Sequence, residues 1–143
     1  MKKLVFILTA STLFLFVSCQ KDDNSTPSIS TTTVTNTVVS GSWKITYYWD
    51  TDHEETANYS GYNFVFGSGN ILTATKTGSS LAGTWSTLSD DSKIKLVLDF
   101  STPASFIKIS NDWHVIERTD TRIKLQDISG GNGGTDYLTF EKN

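Results

Sequence analysis

The sequence predicts an all-β domain: an eight-stranded antiparallel meander, closed into a barrel or left as a half-barrel. Three observations lead there. Apolar and polar residues alternate with period two in short segments from Gly41 onward, as in half-buried strands. Clusters of Gly, Asn, Asp and Ser punctuate those segments at hairpin spacing. No segment carries a convincing helical period, and the chain has 10 Gly but only 2 Pro.

The elements follow in order. Trp43, Ile45, Tyr47 and Trp49 alternate with Lys44, Thr46, Tyr48 and Asp50, which places the first set inward on strand one. Tyr62, Phe64 and Phe66 alternate on strand two, and Gly67-Ser68-Gly69-Asn70 turns the chain. Ile71–Lys76 and Leu81–Ser86 read as two short strands joined through Thr77-Gly78-Ser79-Ser80. Ser89-Asp90-Asp91-Ser92 is a turn into Lys93–Phe100, the cleanest amphipathic strand, with Ile94, Leu96, Leu98 and Phe100 on one face. Ser101-Thr102-Pro103 breaks it, and Ala104–Ile109 fits either a short strand or a helical turn. Asn111-Asp112 reads as a turn, Trp113–Arg118 and Arg122–Gln126 as a hairpin around Thr119-Asp120-Thr121, and Tyr137–Glu141 as the last strand after a Gly-rich loop. Hairpin-length connections favour a meander over an immunoglobulin-like sandwich, which normally needs longer crossovers. Closure of first strand on last removes exposed edges.

The 143-residue chain holds 12 Lys and Arg against 15 Asp and Glu, for a net charge of −3. That balance excludes the strongly basic footprint of a general nucleic-acid binder. One cysteine excludes an internal disulfide framework and a multi-cysteine zinc centre. Met1-Lys2-Lys3 followed by the apolar run Leu4–Val17 is too short to span a bilayer, which takes about 20 residues, and suits a secretion signal. Phe16-Val17-Ser18-Cys19 resembles a bacterial lipobox, with Phe16 standing where Leu is usual. The resemblance implies that residues 1–18 are a lipoprotein signal peptide and that Cys19, once cleaved and acylated with fatty acids such as palmitate, anchors the protein to the membrane. Gln20, Lys21, Asp22 and Asp23 look like the lipoprotein export signal of Bacteroidota, which implies the outer leaflet of the cell outer membrane and a surface-exposed protein; an ordinary hydrophilic tether is the alternative. Cleavage before Cys19 leaves 125 residues and a charge of −5. Residues 19–40 are rich in Ser, Thr and Asn and read as a lipidated cysteine and flexible tether, with 41–143 as the β domain. The Thr/Val stretch within the tether also suits an edge strand.

Gly41-Ser42-Trp43 on the first strand resembles the opening of lipocalins and of bacterial lipocalin-like lipoproteins. Ala82-Gly83-Thr84-Trp85-Ser86, Asp112-Trp113-His114-Val115-Ile116 and the final Tyr137-Leu138-Thr139-Phe140-Glu141-Lys142 are similar to phrases of the bacterial group. The resemblance covers residues 41–142 and implies a lipocalin-like barrel, a Trp that plugs one end, and a pocket for a small apolar molecule. The chain departs from the family in its shorter domain and in lacking a C-terminal helix followed by a barrel-closing Arg.

Inward aromatics are numerous enough to fill so small a barrel, so a solid core and a hollow one both remain open. If hollow, Tyr47, Trp49, Tyr62 and Phe64, beside the long 50–61 connection, are the candidate ligand-binding residues. A protein- or glycan-binding module, with Tyr48 and Tyr59 as exposed platforms, is the second reading. The sequence gives no catalytic residue, no metal site and no cofactor motif. Asp50–Glu55 is acidic but lacks the spacing of a calcium loop, His114 reads as a surface histidine, and no nucleophile elbow, P-loop or dinucleotide fingerprint occurs. The chain is therefore expected not to be an enzyme.

Overall fold

A computed structural model describes residues 28–128 and 133–143. The segment expected as a signal peptide (residues 1–18), Cys19, Gln20-Lys21-Asp22-Asp23 and part of the Gly-rich loop lie outside the described residues. The fold is all-β. Among the described residues nine strands run in chain order: β1 (Trp43–Asp50), β2 (His53–Glu54), β3 (Asn63–Phe66), β4 (Ile71–Lys76), β5 (Ser79–Asp90), β6 (Lys93–Asp99), β7 (Asn111–Arg118), β8 (Arg122–Ile128) and β9 (Thr135–Lys142). Every pairing is antiparallel, and β1 pairs with β9 from Trp43↔Lys142 to Trp49↔Tyr137, closing an eight-stranded barrel. The two-residue β2 is an added hairpin on the far half of β1.

Two short helices plug the two ends. The stretch expected as flexible spacer forms α1 (Thr31–Val38) over its last part. Its residues are weak helix formers, so local capping and packing carry it. Ser30 Oγ accepts from Thr33 N at 3.1 Å, and Thr33 Oγ1 accepts from Ser30 N at 2.9 Å, a reciprocal cap. Val34 and Val38, one turn apart, are fully buried. Trp43 Nε1 donates to Val38 O at 2.8 Å, Arg118 Nη1 to Thr37 Oγ1 at 2.9 Å, and the hydroxyls of Thr35 and Thr87 pair at 2.9 Å. The packed body thus begins ahead of Gly41. As the family resemblance implied, Trp43 seals this end, with Lys142 Nζ 5.6 Å from its ring centroid.

The ambiguous segment after Pro103 resolves as α2 (Ala104–Lys108), at the opposite end. It makes the reversal assigned in sequence to Asn111-Asp112, so β7 starts directly at Asn111. Phe106 enters the barrel, with its ring centroid 5.0–5.9 Å from those of Phe100, Tyr62, Tyr59 and Phe64. A helix this short leaves its last carbonyls without intrahelical partners. Here Tyr59 donates to Ser105 O at 2.6 Å, Tyr48 to Lys108 O at 3.1 Å and Trp113 to Ile109 O at 2.9 Å.

The inward set on β1 differs from expectation. The β1–β9 register shifts between Ile45 and Tyr47. A bulge changes which residues face in, so Trp43, Ile45 and Tyr48 are buried while Tyr47 and Trp49 share the outer face. Tyr48 and Tyr59, expected as exposed platforms, are each 1% exposed.

Gly83 explains the phrase around Trp85. At this point β5 leaves β4 and turns toward β6. A Cβ on Gly83 would overlap Asp99 O and come within 2.7 Å of the Phe100 ring. We expect Gly83→Ala to destabilise by about 1–3 kcal/mol through overpacking, read by chemical denaturation. Phe106→Ala should cost about 3–5 kcal/mol, whereas Ile107→Ala next to it, at a side chain 51% exposed, should stay within about 0.5 kcal/mol.

Candidate functional site

The barrel interior is occupied by side chains. Phe140 stands 5.4 Å from Phe64 and 5.7 Å from Phe66, and Phe66 stands 5.5 Å from Trp85, all edge-to-face. Of the four residues proposed for a ligand, Tyr62 and Phe64 belong to this core, and Tyr47 and Trp49 stand on the outside. The structure does not bring the four into one site.

It builds a cleft on the outer wall instead. The β7–β8 register shifts between Val115 and Glu117, as the β1–β9 register does at Tyr47. These two bulges flank the β8–β9 pair and leave Ile116 41% exposed and Tyr47 37% exposed. Between them lies a cleft of about 350 Å³, with Tyr137, Lys124, Arg122 and Glu141 on its walls and Thr139 and Leu125 also lining it. The Glu117 carboxylate accepts from Arg122 Nε at 2.7 Å and Nη2 at 2.5 Å and pairs with Lys124 Nζ at 2.9 Å. Lys124, then Arg122, holds the Glu117 carboxyl below the usual range. A second, more polar cleft of about 420 Å³ shares Arg122 and Glu141 with the first and continues to Thr119, Thr121 and Lys142.

A bulge has no period-two signature, so nothing in the local pattern turns Tyr47 outward or singles out Ile116. Arg122, Lys124 and Tyr137 had a weak signal: a charged hairpin beside an aromatic strand, which reads equally well as ordinary surface.

A polar cluster forms at the α2 end. Asp50, His53 and Glu55 bring ligand-type atoms within 4.8 Å of one another. Lys108 Nζ pairs with both carboxylates, 3.0 Å from Asp50 Oδ2 and 2.5 Å from Glu55 Oε1, so an ammonium already meets them. His53 is clasped by Asp52 at 2.6 Å and Glu55 at 2.9 Å. Those hydrogen bonds, Asp52 first, raise the His53 pKa, and Lys108 chiefly lowers that of Glu55. His114 is half-buried on the outer wall, its pKa lowered by burial and by Lys93 and Lys95.

His53 is the group with a testable pH signature. Its folded pKa exceeds the unfolded value, so its contribution to stability is full below the ordinary histidine pKa of 6.5 and disappears as pH rises through the folded value. NMR titration should place His53 above 6.5 in the native protein. Asp52→Asn combined with Glu55→Gln should return it toward the ordinary value.

No family model matches the sequence, and no curated protein matches it. Two solved structures resemble the fold. A DUF4847 family protein from Bacteroides vulgatus aligns with a TM-score of 0.51 and 17% identity, covering 77% of this chain and 97% of that one. An uncharacterized protein from Bacteroides eggerthii aligns at 0.43 and 19%, covering 71% and 97%. The first likeness is one of fold: the chain is a β-barrel similar in architecture to a DUF4847 protein.

Proposed function

We propose that this protein is a lipid-anchored, surface-exposed outer-membrane lipoprotein that binds its partner on the outer wall of the barrel and performs no catalysis. The observation that carries the binding reading is the division of the aromatics. The rings that fill the lumen leave an interior ligand no room unless Tyr62, Phe64 and Phe106 part, while the bulges turn Tyr47 and Ile116 outward beside Tyr137 in an open cleft. Rigid amphipathic tyrosines give contact area at low entropic cost.

The anchoring reading is supported by the sequence alone: the apolar run, Ser18-Cys19 and the hydrophilic residues after it. Several acyl chains on Cys19, at about 0.8 kcal/mol per buried CH₂, suffice for stable retention. The 11 residues between Cys19 and Thr31 reach at most about 40 Å, at about 3.6 Å each. That length tethers the α1 end toward the lipid and leaves the wall of the barrel accessible from the side.

Metabolic labelling with palmitate should mark the wild-type protein, and Cys19→Ala should lose both the label and membrane retention. Protease added to intact cells should digest the domain; complete protection would refute surface exposure. On the binding side, Tyr47→Ala and Tyr137→Ala should abolish partner capture without changing the circular dichroism spectrum. Unchanged capture by both variants would refute the outer-wall site.

A further inference from the structure

We propose that the outer-wall groove binds a neutral oligosaccharide, laid along the two joined clefts; the inference rests on the outer-wall reading above and names the class of its ligand. Sugar rings present apolar C–H faces and hydroxyl edges that both donate and accept. The groove offers the complement of each in sequence. Tyr47, Tyr137 and Ile116 supply the apolar wall of the first cleft, where a flat C–H face can lie against aromatic rings. Arg122 and Glu141 stand at the junction and line both clefts.

The polar pair at the junction is suited to hydroxyls. The Glu141 carboxylate receives no hydrogen bond or ion pair from the described residues, so its acceptor capacity is open to a ligand. Arg122 commits Nε and Nη2 to Glu117, and its five-donor fork leaves further N–H groups for a ligand. One donor and one acceptor side by side match adjacent hydroxyls on one ring. The second cleft then continues with Thr119 and Thr121, a polar floor for the next unit.

Charge decides against the other polar ligands. The two cations that line the first cleft, Arg122 and Lys124, are both paired with the Glu117 carboxylate beside it, and Glu141 adds a negative charge to the lining itself. Lys142 at the far end donates to Ser40 Oγ at 3.0 Å and Asp120 O at 3.4 Å. Holding a phosphate or polyanion takes a cluster of uncompensated cations, and Lys142 is the one cation of the groove with no carboxylate partner among the described residues; an unfolded apolar peptide would leave the groove's polar groups unpaired. A neutral polyhydroxylated chain satisfies both demands.

The test is titration of the full-length protein in detergent with neutral mono- and oligosaccharides built on glucose, xylose or mannose, with inorganic phosphate as the anionic control. Binding is followed by calorimetry and NMR shifts. We expect an oligosaccharide to bind more tightly than its own monosaccharide, and phosphate not to bind. Tyr47→Ala and Tyr137→Ala should each weaken binding about tenfold or more, the loss typical of an aromatic anchor. Glu141→Gln should weaken it with the fold unchanged by circular dichroism. Failure of every neutral sugar overturns the proposal, as does sugar binding that is indifferent to all three substitutions. If no sugar binds but partner capture still depends on Tyr47 and Tyr137, the carbohydrate assignment falls and the outer-wall site stands. If capture is also independent of both tyrosines, the site itself falls.

Discussion

The barrel depends on ring donors that reach out of its core to the carbonyls of two short helices. Trp43 holds Val38 O at one end, and Tyr59, Tyr48 and Trp113 hold Ser105 O, Lys108 O and Ile109 O at the other. Each bond meets two needs at once. A buried indole or phenol requires a partner, and a helix terminus has carbonyls to spare. Neither helix has the length to be stable alone. Packed onto the barrel, they shield its aromatic core from water without a larger domain around it. Burial accordingly pushes the hydroxyls of Tyr48 and Tyr59 well above the usual tyrosine pKa and keeps them protonated donors.

The same economy shapes the outside. With the lumen filled and both ends plugged, the outer wall is the surface on which the proposed binding is placed. Flat sheet surfaces offer little purchase, and the bulges on β1 and β7 supply relief there. They face one another across β8 and β9. Between them the wall mixes exposed rings with paired charges, as Glu117 ties down Arg122 and Lys124. The closed eight-stranded barrel is here packed with side chains where the family resemblance implied an interior ligand. Fold similarity carries architecture, and the site has to be argued from its own residues; the likeness to the DUF4847 protein, at 17% identity, stands on the same footing.

Much of the architecture was legible. Alternation located eight strands, and Gly67–Asn70 and Thr119–Thr121 turned the chain as expected. Lys93–Phe100 kept its inward face at Leu96, Leu98 and Phe100. Trp43, Phe64, Phe66, Trp85, Trp113 and Phe140 all entered the core. The candidate site was legible only in pieces: Tyr47 was named, but for an interior pocket, and Ile116 was unmarked.

By itself the sequence determined the class of fold, the order of its strands and the aromatic make-up of its core, because a half-buried strand writes its two faces into alternate residues. It also carries the apolar run Leu4–Val17 and the cysteine shortly after it, on which the anchoring proposal rests. The tertiary structure alone decided that Thr31–Val38 folds, since buried Val34 and Val38 offset the weak propensity of their neighbours. It alone decided which way Tyr47 and Tyr48 point. One extra residue in a strand reverses every face beyond it, and whether that residue is accommodated depends on the partner strand, which local sequence does not contain.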